Sequence, residues 1–339
     1  MIWFFRIFCF FILTSSFSQI GGSSSFSFLN LESSPRINSL GGFAPLVIDD
    51  DPNLGLFNPA LINPSMHSFL SVNYINYYSD INYGSLVFCP KFLNKNSFLF
   101  GIKYVDYGIF DEADEFGNLI GSFNASEYLF SLGSSIVLYN DDDNALKMGL
   151  SSKIGLSQLY SDFSLACFAD FSLLYYNSKK FIKTSFLVRN VGYQIIPYTE
   201  GNTEKLPFEL ALSFSNKLKH MPLRWSVSLQ HLENWNLNFE NSNQTDDFLL
   251  NSNSNIGDEF LRHIVLGLEF LITKNLNIRF GYNNRKRHEM MILDRKAMVG
   301  FSYGFSFKIN KFKFNYGRGL NHFSGPVNSI GVTTNISSF

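Results

Sequence analysis

The feature that most constrains this chain is a repeated period-two alternation of apolar and polar side chains. Leu70, Val72 and Tyr74 share one face of a strand with Ser71 and Asn73 opposite, and Phe98, Phe100, Ile102 and Tyr104 repeat the pattern. Alternate side chains of a strand point to opposite faces, so this spacing predicts strands and not helices. Fourteen such runs can be placed, at about 67–78, 81–91, 97–107, 124–138, 145–157, 163–176, 181–191, 206–216, 222–233, 261–271, 275–284, 296–308, 311–318 and 327–336. Many reach about ten residues, the length that a tilted strand needs to cross a bilayer.

The links between runs separate by parity. Links 92–96, 139–144, 177–180, 217–221, 272–274 and 309–310 are short, whereas 108–123, 192–205, 234–260, 285–295 and 319–326 are long. Links 79–80 and 158–162 break the rule. Short turns at one end and long loops at the other are the arrangement of a transmembrane barrel, and an even strand count returns both chain ends to the periplasmic side. The expected fold is therefore all-β: a transmembrane antiparallel β-barrel of about fourteen strands with an N-terminal plug. The terminal aromatic, Phe339, resembles the assembly signal of bacterial barrels.

Composition agrees. Charged residues are 16% of the chain, against roughly 25% in typical soluble domains. There are 38 Phe among the 339 residues and the net charge is -1. That apolar content excludes disorder, and the charge balance speaks against a nucleic-acid binder. Three cysteines do not make a disulfide scaffold, and Cys89 and Cys167 are read as buried or lipid-facing thiols.

Residues 1–18 read as a signal peptide: Arg6, an apolar run from Ile7 to Leu13, and Ser16-Phe17-Ser18 before Gln19. The run is too short to span a membrane, and Cys9 lacks the small residues of a lipoprotein site. No later apolar stretch reaches about 18 residues. Residues 19–66 are rich in Gly, Ser, Asn and Pro and are assigned as the plug, with the barrel at 67–339. Prolines 45, 52, 59 and 64 forbid a long helix but allow helical turns near 43–48 and 53–57.

Candidate sites are few. Asp49-Asp50-Asp51 invites a calcium reading, but it lacks alternating spacing and Pro52 follows directly. A turn with capping carboxylates, docked on basic lumenal residues, fits better. Arg285, Lys286, Arg287, Arg295, Lys296 and Arg318 form a basic C-terminal set. They would either touch lipopolysaccharide phosphates at the outer rim or turn inward onto plug carboxylates. Six scattered histidines give no metal motif, and no catalytic, metal or cofactor residues are assigned. An outer-membrane hydrolase would need a Ser-His-acid cluster, and no G-x-S-x-G elbow is present. Loop 234–260, with Asp246, Asp247, Asp258 and Glu259, is either a solvated loop or a contact surface for an envelope protein.

Several motifs occur in a telling order: Ser39-Leu40-Gly41-Gly42, Asp49-Asp50-Asp51 and Asn58-Pro59-Ala60-Leu61, then Arg189-Asn190-Val191-Gly192 and His231-Leu232-Glu233. Gly281-Tyr282-Asn283-Asn284-Arg285 and Asn315-Tyr316-Gly317-Arg318 close the series. With these the chain resembles the PorQ family, outer-membrane components of the type IX secretion system of Bacteroidota. The resemblance implies a barrel similar to the FadL-like long-chain fatty-acid transporters, without enzymatic activity. It implies partners too: a PorZ-like surface protein, and a sortase-like attachment complex with PorU-like and PorV-like members that links cargo to lipopolysaccharide. The alternative is a passive FadL-like transporter of hydrophobic small molecules, in which Gly41-Gly42 would serve as a hinge for a movable plug.

Overall fold

The computed structural model describes residues 24–79, 81–91, 97–235, 237, 256–290, 298–322 and 325–338. The expected signal peptide, Asp246 and Asp247 of loop 234–260, Arg295, Lys296 and Phe339 lie outside the described residues.

Fourteen antiparallel strands form one closed sheet. They are β1 (Phe69–Asn76), β2 (Asn82–Cys89), β3 (Ser97–Ala113), β4 (Leu119–Asn140), β5 (Asn144–Leu159), β6 (Asp162–Asn177) and β7 (Ile182–Ile196). The second half comprises β8 (Glu209–Lys217), β9 (Leu223–Leu229), β10 (Ile264–Phe270), β11 (Leu276–Asn283), β12 (Phe301–Ile309), β13 (Phe312–His322) and β14 (Gly325–Asn335). Each strand pairs with its neighbours in sequence, and β1 closes the ring on β14 with Phe69 opposite Asn335 and Asn76 opposite Asn328.

The alternation sorts side chains as the pleat requires. Val72, Tyr74, Phe100, Ile102, Phe130, Leu132 and Ile154 are exposed on the outside, whereas Ser71, Ser85, Ser131, Ser172, Ser185, Ser213 and Ser329 are buried inside. An apolar exterior around a polar interior suits a strand ring whose solvent is lipid, since closure leaves no unpaired backbone edge in hydrocarbon. The molecule is an outer-membrane barrel. Cys89 and Cys167 are free thiols, the first buried.

Three expected loops are corrected. Strand pairing continues into 108–123, where β3 and β4 run on to a turn at 114–118, and into 192–205, where β7 reaches Ile196. At 319–326, β13 and β14 extend until His322 opposes Gly325. Alternation is lost where both faces of a strand meet water, so the sequence pattern stops before the backbone pairing does. The basic segment after β11 begins as a short helix (Asn284–Met290), and another short helix (Ile256–Arg262) precedes β10.

Candidate functional site

Residues 24–66 occupy the barrel lumen. Their order follows a repeated device: a capping side chain, then proline in the first helical turn. Ser34 accepts from the Ile37 amide (3.4 Å), Asp51 from Asn53 (3.2 Å), Asn58 from Ala60 (3.1 Å) and Asn63 from Ser65 (2.9 Å). Prolines 35, 52, 59 and 64 follow these caps directly. A capped, proline-started turn satisfies its orphan amides and fixes its entry angle, so short turns persist without a long helix. The expected turn at 53–57 is present as the helix Pro52–Phe57. No helical turn forms at 43–48; that stretch is irregular, with a tight bond from the Val47 amide to Pro45 O at 2.9 Å and Leu46 and Val47 buried.

The wall is shaped for this segment. A Cβ on Gly149 would sit 2.0 Å from the Ala60 nitrogen, and one on Gly281 would sit 2.2 Å from the Gly41 nitrogen. Inward serines bind the segment's polar groups: Ser172 Oγ accepts from the Ala60 amide (2.8 Å), Ser185 Oγ from Asn58 (3.0 Å) and Ser329 Oγ from Asn38 (2.9 Å). Wall lysines reach segment carbonyls. Lys103 donates to Phe28 O and Leu31 O (2.8 and 2.6 Å), and Lys147 to Ile62 O (2.8 Å). The Arg189 guanidinium lies 4.2 Å from the Phe57 ring centroid.

Gly41 and Gly42 take left-handed φ values of 86° and 88° at the end of the helix Pro35–Asn38. Only glycine adopts that conformation cheaply. The pair is pinned and does not form a free hinge: the Gly41 amide donates to Ser302 Oγ and its carbonyl accepts from Asn283 Nδ2, both at 2.9 Å.

A buried charge network ties segment to wall. Arg36 Nη1 donates to Asp49 (2.8 Å) and Asp51 (3.1 Å), and its Nε to Glu269 Oε1 (3.0 Å). Glu269 also accepts from Arg224 (2.6 Å) and Arg279 (3.0 Å). Three guanidiniums thus face three carboxylates, which meets the condition under which buried charge is tolerated. Asp50 lies 3.6 Å from Lys313. Burial acts to raise the Asp49 carboxyl, but the charges of Arg36, Lys313 and Arg224 and the Arg36 hydrogen bond together outweigh it and hold that group below its ordinary value. Asn58 and Pro59 seat the next turn against Ser185 and Gly149.

The basic C-terminal residues divide. Lys286 reaches inward and pairs with Glu32; burial acts to raise this carboxyl, but the charge and hydrogen bond of Lys286, with a backbone hydrogen bond and Lys103, together keep it depressed. Arg285 pairs with Glu289 along its own helix at 3.5 Å, and Arg287 Nη1 donates to Val299 O at 3.4 Å. Arg318 belongs to the outward set of β13, between the registered neighbours Tyr303 and Asn328. Arg36, Arg224, Glu269 and Arg279 were not expected from sequence. A charged residue flanked by apolar neighbours within a strand, as in Leu268-Glu269-Phe270 and Ile278-Arg279-Phe280, is the signal of an inward charge.

Described cavities lie at the margins. One of about 450 Å³ opens among Ser24, Ser25, Tyr107, Glu127, Tyr198 and Glu204 at the extracellular mouth. Another of about 340 Å³ lies beside β7 between Asn190, Tyr193, Thr203 and Phe208. A third, of about 380 Å³, lies at the periplasmic rim near Asp50, Lys308 and Lys313. The centre is occupied by Ile37, Leu54, Ala60, Leu61, Ile62 and Met66, all fully buried.

No family model and no curated protein matches the chain. Among solved structures it is similar to the Ralstonia pickettii toluene transporter TbuX, with 11% identity, 91% of this chain and 99% of that chain covered, and a TM-score of 0.43. It is similar also to the Pseudomonas putida toluene transporter TodX, at 10% identity, 90% and 97% coverage and a TM-score of 0.47. A Pseudomonas aeruginosa FadL homologue aligns at 9% identity, 89% and 98% coverage and 0.44. Likeness at this level carries no argument about function, and the barrel assignment rests on the strand register itself.

Proposed function

We propose that this chain is a non-enzymatic outer-membrane anchor. In this reading it holds a PorZ-like surface protein for the attachment complex of type IX secretion, together with the sortase-like members that the PorQ resemblance implies. The observation that supports it is the filled lumen: a segment capped turn by turn, seated on wall glycines and tied by six charges, four of them buried. Such an interior suits a rigid support better than a conduit. Arg318, outward on β13, would meet lipopolysaccharide phosphate. Deleting the gene should leave cargo synthesised but poorly attached to the surface, with the partner released into the medium. Cargo and partner that both stay on the cell would overturn this reading.

One observation favours a second reading, passive transport of hydrophobic small molecules. The pairing of β7 with β8 stops at Arg189 and Glu209, and the 340 Å³ cleft lies beyond that point. Vesicles carrying the purified protein discriminate the two. Uptake of radiolabelled toluene or oleate above that of protein-free vesicles supports transport, and uptake equal to theirs supports the anchor.

A further inference from the structure

The β3–β4 hairpin rises well above its neighbours. The β2 pairing of β3 ends at Asn82 opposite Asp106, and the β5 pairing of β4 ends at Leu159 opposite Ala125. Past a bulge at Tyr107 and Gly108, residues 109–113 and 119–124 therefore pair only with each other among the described residues, around a turn held by Asp114, which accepts from the Phe116 and Asn118 amides at 2.9 and 2.8 Å. An apolar band of about 25 Å is crossed in about ten tilted residues, which β3 has used by Asp106. Tyr104 and Tyr128, with ring centroids 4.8 Å apart, sit just below that level, as interfacial aromatics do. The hairpin above them stands in water.

Its side chains do not suit water. Phe116 is 89% exposed, Ile109 75%, Leu119 71% and Ile120 62%. Above its base, where Tyr107 packs inward and donates to Glu127, the hairpin is braced by Tyr160, whose ring packs on Phe123 at 5.1 Å and whose hydroxyl donates to Glu112 at 3.2 Å. A two-stranded ribbon is marginal by itself, and clustered exposed apolar residues on a protruding element mark a contact surface. The outer edge of β3 past Asp106 has no backbone partner on the β2 side among the described residues, which leaves its amides and carbonyls open to an added strand.

Charge selects the occupant. Asp106, Asp111, Glu112, Asp114 and Glu115 lie on this hairpin, and residues 106–124 contain no lysine or arginine. A second copy would bring the same negative charge against it, and anionic lipid headgroups would repel it. We propose that the hairpin is a docking element for a separate exported protein that presents an apolar strip bordered by lysine and arginine. This inference rests on the anchoring reading above and names the surface that would carry it.

The test uses the full chain in its own cells. A photo-crosslinking phenylalanine analogue replaces Phe116, and lipid-facing Phe130 serves as the control site. The double variant Asp111→Lys/Glu115→Lys reverses two charges without touching the Asp114 carboxylate that holds the turn. The expected result is an adduct at position 116 with one other protein through a lysine- and arginine-rich surface, and at least a tenfold loss of that adduct in the double variant. Heat-modifiable mobility of each variant on gels checks that the barrel is folded. An adduct with a second copy or with lipopolysaccharide, no adduct from a folded barrel, or an adduct indifferent to the charge reversal would overturn the inference. If gene deletion releases a surface protein while folded hairpin variants retain it, the anchor stands and the hairpin assignment fails. If deletion releases nothing, the anchoring reading itself fails.

Discussion

Glu269 is the one carboxylate that three guanidiniums share, and its replacement should be costly out of proportion to its size. Glu269→Gln keeps the shape but leaves Arg36, Arg224 and Arg279 facing one another in a closed interior. Breaking a buried pair costs about 3–5 kcal/mol, so the urea midpoint of the refolded barrel in micelles should fall clearly, whereas Asp49→Asn, at a carboxylate with 28% exposure, should cost less. An unchanged midpoint for Glu269→Gln would show that the network does not hold the interior. Glu32 and Asp49 also predict a pH response. Both carboxyls are held below their ordinary values, so their stabilising contribution is complete above roughly pH 4–5 and is lost as the pH falls through their lowered values. Protease access to the lumenal segment should stay flat between about pH 5 and 8 and rise only in stronger acid, and Glu32→Gln should raise it already at neutral pH. These residues were hard to see in the sequence. Arg36 and Glu269 are 233 positions apart, and neither belongs to a spaced motif. Asp49, Asp51 and Lys286 stood out because they lie in visible charge runs, although the run alone did not say that Arg36 would be the carboxylates' partner.

Elements were legible where one face meets lipid and the other the lumen. Leu70-Ser71-Val72-Asn73-Tyr74 can be read as β1 directly, because two different solvents impose period two on the side chains. The same reasoning failed for 108–123, where water lies on both sides and only backbone pairing defines the strands. Between strands, the lumenal turns depend on their caps. Asn58→Ala removes both the cap on Ala60 and the bond to Ser185. It should lower stability by about 1–2 kcal/mol, readable as a shift in the urea midpoint. Gly281→Ala is predicted to be worse, since its methyl would meet the Gly41 and Leu40 backbone, which has no rotamer to move. A folded variant with normal protease resistance would show that the segment is not seated there.

At the level of the whole molecule, parity of link lengths and an even strand count anticipated a closed barrel, and the ring β1 to β14 agrees. The interior was less legible. Serines and glycines on the inward face announce room for a filler, but which backbone comes against which glycine depends on three-dimensional register. The seats are distributed unevenly. Gly281, Gly304, Gly317 and Ser329 meet residues between Pro35 and Gly41, so this stretch rests on the last strands made, whereas Phe28, Leu31 and Ala60 are held by β3, β5 and β6.

That distribution has a consequence for biogenesis. Residues 35–41 leave the translocation machinery well before the strands that seat them, so they must cross the periplasm with Ile37 uncovered, as cargo for holdase chaperones. Insertion then becomes a matter of timing. The segment must be enclosed before β1 meets β14, because once that seam zips the ring around it, threading it back requires reopening the barrel.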